Sequence, residues 1–198
     1  MDNSLHTGDA SLDPSDVPSR KGLEVFFVES LQELYFAENA IATEFDTIRG
    51  QIQSPHLKSI LENHYQIHLK HKERLEKIFA MRSVEVKTKK CDAILALIAE
   101  GQKHFDIFSN DIANWEIALI LISQKMAHYK IASYGACAHL AINLNDYRAA
   151  TLLAVDVQEE EDYINNHLNG ITHEFLRPYS ENFKRDSNGD QSDIQPEF

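Results

Sequence analysis

Residues 54–80 read SPHLKSILENHYQIHLKHKERLEKIFA, and this stretch decides the fold. A serine followed by a proline is a typical helix start, and no later residue of the stretch is a glycine or a proline. Steps of three and four residues select one face of this helix, as they do on the inner face of a helical bundle. Three consecutive positions of that face are histidines, and its members are Leu57, Leu61, His64, His68, His71, Leu75 and Ile78.

Three further long helices are predicted on either side of this one. They cover about residues 22–49, 111–144 and 146–170, and a last turn or two precedes Arg177 and Pro178. A shorter helix is expected at about 91–104, between the second and third long helices. Because the loops next to the long helices are short, neighbouring helices should run antiparallel. The sequence therefore predicts an all-α antiparallel four-helix bundle with an additional short helix.

The third long helix has a second apolar stripe, beyond the one that a bundle needs. This stripe predicts packing against the short helix or against a second copy of the chain. Its members are Trp115, Leu119, Ile122, Met126 and Tyr129.

The two ends of the chain differ from the helical middle, because polar residues dominate them and apolar periodicity is missing. We interpret residues 1–20 as a disordered leader and residues 183–198 as a disordered tail. The bundle domain is then expected to cover residues 21–182.

Charge and composition narrow the classes of partner. A formal net charge of −12 repels nucleic-acid phosphates and anionic membranes. No apolar run reaches the ~18 residues that cross a bilayer. Cys91 and Cys137 fit neither a disulfide framework nor a zinc motif, and we interpret them as packed thiols. We therefore predict a cytoplasmic protein that binds neither nucleic acid nor membranes.

Ionisable side chains lie near the middle of the inner face of every long helix. The first helix offers Glu38 in an otherwise apolar row, and the third offers Lys130. The fourth offers Asp156, Glu160 and His167, beside the acidic run at 159–161. Because burying one such group without a partner is costly, we expect these groups to form one shared polar layer with the histidines of the second helix.

Carboxylates and imidazoles that face one another inside a four-helix bundle are typical of ferritin-like di-metal proteins. Their oxygen and nitrogen ligands suit iron or manganese. Such a site takes a Glu from each of two helices and a Glu-x-x-His pair from each of the other two. No glutamate of this chain is followed three residues later by a histidine, so a standard dinuclear site cannot be written on it. We therefore predict a ferritin-like bundle with an incomplete centre.

Five stretches together resemble the YciE/YciF-like stress-protein family of ferritin-like proteins. They are ELYFAENAI at 33–41, the pattern from His64 to Arg74 and Leu75, KKCDAILALIAEG at 89–101, QKMAHYKIASYG at 124–135, and the pair Glu159-Glu160. The resemblance covers residues 22–170. It implies a four-helix bundle with an additional helix, a homodimer and metal binding, while the activity of the family is poorly defined.

The resemblance implies ligand roles for particular residues. Glu38 matches the family's acidic residue in the first helix, His64 its histidine in the second, and Glu159 and Glu160 its acidic pair in the fourth. We take Glu38, His64 and Glu160 as candidate metal ligands, with Glu159 and His68 as alternates. His68 and His71 could supply replacement nitrogens, but a solvated or helix-pairing role is the favoured interpretation for both.

The chain also departs from the family pattern at positions that the resemblance implies are ligand positions. The family usually has a carboxylate three residues after its histidine, where this chain has Ile67. The family tends to read Glu-His-Tyr-Glu in the third helix, where residues 127–130 read AHYK. Three carboxylates are thus missing, and Lys130 brings a cation. We expect the Lys130 ammonium to replace a metal between the carboxylates; alternatively, it extends outward along its helix.

Three functions remain open at this point. The favoured one is a stress-associated binding or structural module with a degenerate centre, metal-free or at most mononuclear. The alternative is a metal-dependent oxidoreductase that uses iron or manganese to act on peroxide or oxygen through a modified carboxylate and histidine site. A third is a pH-responsive helical module that uses the histidines of the second helix.

Overall fold

The computed structural model describes the chain from residue 19 to residue 189, and its side chains as far as residue 182. All regular structure in this part of the chain is helical, which confirms the predicted fold class. The elements are α1 (Arg20–Ile48), α2 (Pro55–Met81), α3 (Asp92–Ile107), α4 (Ile112–Asn143), α5 (Tyr147–Tyr163), a π-helical turn (Ile164–Leu168) and α6 (Asn169–Gly189). Among the described helices, none is long and apolar enough to cross a membrane.

The helix starts follow from short polar side chains that cap free backbone N–H groups. The Ser54 hydroxyl accepts a hydrogen bond from the Leu57 backbone N–H at 3.2 Å. Asp111 and Asp146 accept in the same way at the starts of α4 and α5. The buried carboxylate of Glu116 on α4 accepts from the backbone N–H groups of Gln53 and Ser54, at 2.8 and 2.7 Å. The α1–α2 loop is thereby attached to the beginning of α4.

The four long helices α1, α2, α4 and α5 form the bundle, and their apolar inner faces fall into two halves. In one half, the start of α2 and the end of α1 pack on the start of α4 and the end of α5. In the other half, the start of α1 and the end of α2 pack on the end of α4 and the start of α5. Neighbouring helices therefore run antiparallel, as predicted, and the middle of every helix lies at one level between the two halves.

The short helix α3 lies against α1 and α4 and covers the second apolar stripe of α4. The ring centroids of Phe105 and Trp115 are 4.8 Å apart. A Cβ atom on Gly101 would lie 3.2 Å from Ile122 Cγ1, so the glycine allows α3 to approach α4 closely. The stripe thus packs against the short helix, which is the first of the two alternatives that the sequence left open.

The end of the bundle differs from the prediction of one continuous helix to residue 170. The π-helical turn after α5 shifts the helical register, so Leu168 and Ile171 are buried. His167, which simple stepping placed on the inner face, is exposed instead.

Helix α6 also continues past Pro178, where the sequence predicted an end, and reaches Gly189. Proline removes one backbone donor, but this turn is exposed, so water can satisfy the carbonyl that loses its partner. Residues 183–189 of the predicted tail are therefore helical in their backbone. The predicted leader apart from Ser19 and Arg20, and residues 190–198 of the tail, lie outside the described residues.

A buried charge layer as the candidate functional site

A layer of ionisable side chains separates the two apolar halves of the bundle, and we call it the charge layer. Seven of its nine members are buried, and the Arg74 and Glu159 side chains are partly exposed. All four long helices contribute to it. The members are Glu38 of α1, His64, His68, His71 and Arg74 of α2, Lys130 of α4, and Asp156, Glu159 and Glu160 of α5.

Lys130 lies at the centre of this layer and is 1% exposed. Its Nζ atom is 2.7 Å from Glu160 Oε1 and 3.0 Å from Glu38 Oε1. The same atom is 2.9 Å from His68 Nδ1. An ammonium has three N–H donors and no acceptor, so it can serve both carboxylates at once. Lys130 thus connects α1, α2 and α5 through one buried positive charge.

Arg74 is a second internal cation at the edge of the layer. Its Nη1 atom lies 2.5 Å from Asp156 Oδ1 and 2.6 Å from Glu159 Oε2, and its Nη2 atom lies 2.8 Å from Glu159 Oε1. The contact with Glu159 is therefore bidentate, the geometry in which a guanidinium binds a carboxylate most strongly. The four carboxylates of the layer are thus divided into two pairs, each bridged by one internal cation.

The three histidines of α2 connect these pairs to one another. His64 Nε2 lies 3.0 Å from Glu160 Oε1, and His68 Nδ1 lies 2.5 Å from Glu38 Oε2. His71 spans the two pairs, since its Nδ1 is 3.2 Å from Glu38 Oε1 and its Nε2 is 3.1 Å from Glu159 Oε2. Both His71 contacts can be hydrogen bonds when both ring nitrogens carry protons. The helix-pairing interpretation of these histidines agrees with their contacts, and the solvated interpretation is wrong because they are buried.

Two tyrosines close the layer above and below. The Tyr134 hydroxyl donates to Glu38 Oε1 at 2.7 Å. The Tyr163 ring stacks on His64, with ring centroids 3.5 Å apart and an interplanar angle of 7°. The hydroxyl of Tyr163 is buried without a hydrogen-bond partner among the described residues. The layer is thus sealed mainly by aromatic packing, and water has little access to its centre.

The electrostatics favour ionised carboxylates around Lys130. Burial alone would raise the pKa of Glu38, but Lys130 and His68 hold it well below its usual value. Burial likewise opposes ionisation of Glu160, yet His64 and Lys130 lower its pKa. In return, although burial disfavours the ammonium, Glu160 and Glu38 raise the pKa of Lys130. The centre therefore holds a fixed ion cluster at neutral pH.

Asp156 and His68 differ from that pattern. Burial raises the pKa of Asp156 to about 7, although His71 and Arg74 oppose the shift. Its Oδ2 atom has no hydrogen-bond partner among the described residues. Burial and then Lys130 lower the pKa of His68 to about 4, so this ring is neutral at pH 7. Asp156 is thus the member of the layer best placed to gain or lose a proton near neutral pH.

These residues do not fit the dinuclear iron or manganese centre that the fold suggests. The Lys130 ammonium lies within hydrogen-bonding distance of three candidate ligand atoms and repels any cation that would share them. His71, Asp156 and Glu159 each offer a ligand atom, and these atoms lie within 4.8 Å of one another. Arg74 already binds both carboxylates of that second group. Each of the two candidate metal positions is thus already occupied by a cationic side chain of the protein, Lys130 at one and Arg74 at the other.

The structure brings the predicted site residues together. Glu38, Glu160, His68 and Lys130 are in direct contact, and His64 contacts Glu160. Glu159 lies at the other end of the layer, on His71 and Arg74. The alternative of an outward-directed Lys130 is wrong, because its side chain is buried.

Sequence reasoning placed Asp156 in the shared polar layer without a partner, and it did not assign roles to Arg74 and Tyr134. Asp156 precedes Glu160 by four residues and Arg74 follows His71 by three, so both follow the helical spacing of the inner face. That spacing was available as a signal for both. Tyr134 follows Lys130 by four residues, but nothing in its residue type distinguishes a ligand of Glu38 from an ordinary core tyrosine.

Comparisons with known proteins agree with this architecture. The chain matches a family described as a domain of unknown function (DUF892) over residues 22–177. It is 29% identical over 142 residues to protein YciF of Escherichia coli (strain K12), which covers 71% of this chain and 85% of that protein.

Two solved structures share the fold. The crystal structure of the E. coli stress protein YciF superposes with a TM-score of 0.72 at 26% identity, covering 78% of this chain and 97% of that one. YcfI from Rhodopseudomonas palustris, to which a structural role is provisionally ascribed, superposes with a TM-score of 0.71 at 25% identity, covering 80% and 98%. Since the family match spans most of the chain and these relatives share its helical bundle, the chain belongs to the YciF-like family of DUF892 proteins.

Proposed function

We propose that this chain is a stress-associated binding or structural module whose bundle centre works without a metal ion. The observation that carries the proposal is the position of Lys130 Nζ, within 3.0 Å of Glu38, Glu160 and His68. The lysine supplies internally the positive charge that a metal ion would supply to such carboxylates. The stress protein YciF and the structural role ascribed to YcfI support the same class of function.

The internal charge balance makes the module independent of metal supply. A metal centre ties the stability of a bundle to the concentration of the ion, because binding free energy becomes folding free energy. An ammonium and a guanidinium are covalently part of the chain and cannot be lost to a chelator. The charge layer thus acts as a permanent electrostatic link between the four helices.

Metal analysis of protein expressed in iron- and manganese-supplemented medium tests the proposal. The wild-type chain should retain metal far below one ion per chain after dialysis against a weak chelator. Lys130→Glu, which restores the acidic residue of the family pattern, should raise the metal content. Lys125→Glu on the same helix is the matched control, because Lys125 is half exposed and lies outside the charge layer. One or more tightly held ions per wild-type chain would overturn the proposal.

A second candidate function is a metal-dependent oxidoreductase that uses iron or manganese on peroxide or oxygen. It is favoured by the converging ligand atoms of His71, Asp156 and Glu159, with Glu38 nearby on His71. This function requires that Arg74 give up its two carboxylates. It predicts that His71→Ala and Glu38→Ala lower metal content and peroxide turnover together. Wild-type protein that turns over no peroxide after metal loading removes this candidate.

We also propose a cytoplasmic homodimer, as the family resemblance implies. Exposed apolar side chains of α4 and α6, among them Leu121, Leu176 and Tyr179, provide a surface for a second copy. The two cysteines are both unpaired, which suits a reducing compartment. Sedimentation equilibrium should give the mass of two chains, and a monomer at micromolar concentration contradicts the dimer.

A further inference from the structure

A cavity of about 60 Å³ lies beside the charge layer, between α1, α2, α3 and α4. Its walls are almost entirely apolar, and residues from all four helices line them, among them Ile41, Leu61, Ile98, Phe105, Ile122 and Met126. The bundle alone does not form it, because α3 supplies one wall. Gly101 of α3 also lines the cavity, where a larger side chain would take up space.

The two ends of this cavity differ in chemistry. At its outer end, the partly exposed Glu44 accepts hydrogen bonds from the Gln102 side chain, at 3.2 and 3.3 Å. At its inner end lie the rings of His64 and His68, the two histidines that contact the carboxylates flanking Lys130. Tyr65 and Ser123 also line the wall, and the Ser123 hydroxyl already donates to the Leu119 carbonyl at 2.7 Å.

Each of the two histidine rings has one nitrogen that the charge layer does not use. His64 directs Nε2 to both oxygens of Glu160, and His68 directs Nδ1 to Glu38. The opposite nitrogens, Nδ1 of His64 and Nε2 of His68, make no hydrogen bond with another described residue. Among the described residues, the buried side-chain atoms without a hydrogen-bond partner are Arg82 Nε, Asp156 Oδ2 and the Tyr163 hydroxyl, and neither histidine nitrogen is one of them. Both nitrogens therefore border open space.

The protons of these rings decide what the free nitrogens can bind. A neutral imidazole carries one N–H and one lone pair. His64 Nε2 faces only a carboxylate, so with its proton on that nitrogen the His64 Nδ1 atom is a hydrogen-bond acceptor. His68 Nδ1 faces both Glu38 and the Lys130 ammonium, so the acceptor at this end is assigned to His64. A ligand at this end of the cavity must therefore bring a donor. An anion is disfavoured here, because Glu38 and Glu160 lie behind the histidines and Glu44 lies at the outer end.

We propose that this cavity binds a small neutral amphiphile, a slim aliphatic chain with a hydroxyl donor that reaches the His64 and His68 rings. The apolar wall accepts the chain, and the histidine end accepts the hydroxyl proton. The volume of about 60 Å³ favours a slim flexible chain that can follow the space between side chains over a rigid ring; an engineered cavity that binds benzene measures about 150 Å³. This inference rests on the proposed binding function, because it supplies that module with a ligand.

Titration of the full chain with 1-butanol, followed by the methyl NMR signals of Ile41, Leu61 and Ile122, tests the inference. Saturable shifts confined to the cavity methyls are expected. Methyl propyl ether has the same number of heavy atoms but no donor, and it should bind at least about fivefold more weakly. Butyrate, which has a similar chain and a negative charge, should give no saturable shift.

Two variants locate the binding. Ser123→Leu places a branched chain in the cavity and removes only a hydrogen bond within α4, so it should abolish the saturable shifts. Ala132→Leu on the exposed face of the same helix is the matched control and should bind like the wild type. Shifts that persist in Ser123→Leu, or that never saturate in the wild type, overturn the cavity as a site. Equal affinity for butanol and the ether overturns the histidine contact.

The ligand titration and the metal analysis give independent results. If tightly held metal is found while butanol still binds in the cavity, the proposed metal-free function is wrong and the ligand site stands. If the chain is metal-free and butanol does not bind, the ligand inference alone is wrong. A circular-dichroism melt of each variant shows whether a lost signal reflects unfolding. If Ser123→Leu is unfolded, the comparison of butanol, the ether and butyrate on wild-type protein still tests the inference.

Discussion

Replacing Lys130 by methionine should strongly destabilise the folded chain. Methionine keeps most of the side-chain length but removes the ammonium that lies on Glu38 and Glu160. Removing one partner of a buried ion pair leaves the other charge uncompensated and typically costs about 3–5 kcal/mol. Both carboxylates are 1% exposed or less, so water cannot replace the lost contact. We expect a loss in the free energy of unfolding of that size at pH 7.

The loss should depend on pH in a direction that the structure determines. In the wild type, the pKa values of Glu38 and Glu160 lie below those of an unfolded chain. Without Lys130 they should rise above the unfolded value of about 4.3, because burial and mutual repulsion then dominate. The folded variant binds more protons than its unfolded state, so it gains stability as pH falls from 7 toward 5. The difference from the wild type should shrink accordingly.

Urea unfolding at pH 7 and pH 5, with thermal melts at both, measures these effects. A loss of 3–5 kcal/mol corresponds to a decrease in Tm of about 10 °C in a chain of this size. Lys125→Met is the matched control, since its half-exposed pair with Glu100 should contribute under about 1 kcal/mol. Adding Glu160→Gln to Lys130→Met should recover part of the loss. A loss no larger than that of Lys125→Met, or one that grows at pH 5, refutes the reasoning.

Three further predictions concern the charge layer and the apolar core next to it. Tyr163→Phe should leave the free energy of unfolding within about 1 kcal/mol of the wild type or raise it, because the Tyr163 hydroxyl is buried without a partner. A loss above about 2 kcal/mol, measured by urea unfolding, contradicts this expectation. Burial and Lys130 hold the pKa of His68 at about 4, so folded-state stability should fall as pH decreases from about 6.5 to about 4. His68→Gln should flatten that interval relative to the wild type, and parallel curves would exclude His68 as the cause. Burial raises the pKa of the Cys137 thiol to about 12, so a thiol reagent at pH 8 should react far more slowly with folded than with urea-unfolded protein. The measurement uses a Cys91→Ser variant, in which Cys137 is the remaining cysteine, and equal rates contradict a packed thiol.

Much of the fold could be predicted because one-dimensional periodicity records which residues face inward. The inner face of α2, from Leu57 to Ile78, is buried at every predicted position. On α4, Ala127, Lys130, Tyr134 and Cys137 follow the same spacing of three and four residues and are buried as well. The failure at His167 has a definite cause, since a π-helical turn changes the number of residues per turn and stepping by three and four then selects the wrong face.

The candidate site could be predicted as a set of residues but not as a set of pairs. Periodicity indicated that Glu38, the helix-two histidines, Lys130 and Glu160 share one level of the bundle. Periodicity could not show that Arg74 binds Glu159 while Lys130 binds Glu160. Glu159 and Glu160 are adjacent in α5, and only the orientation of the folded helix decides which cation each of them faces. Partner choice depends on distances across helices, which no single-helix pattern contains. The metal-ligand roles of Glu38, His64 and Glu160 therefore stay predictions.

The π-helical turn at Ile164–Leu168 also constrains how this chain tolerates changes in length. In an α-helix, each residue advances the side-chain direction by about 100°. The turn accommodates one residue more than a regular α-helix would, so deleting one residue within it should restore regular α-helix and leave Leu168 and Ile171 in the core. The same deletion beyond the turn would instead rotate all later residues by about that angle and turn Ile171 toward solvent. The turn thus determines which residues of α6 face the core, relative to the charged residues of α5. Homologous chains that lack the turn must place their last apolar residues in a different register.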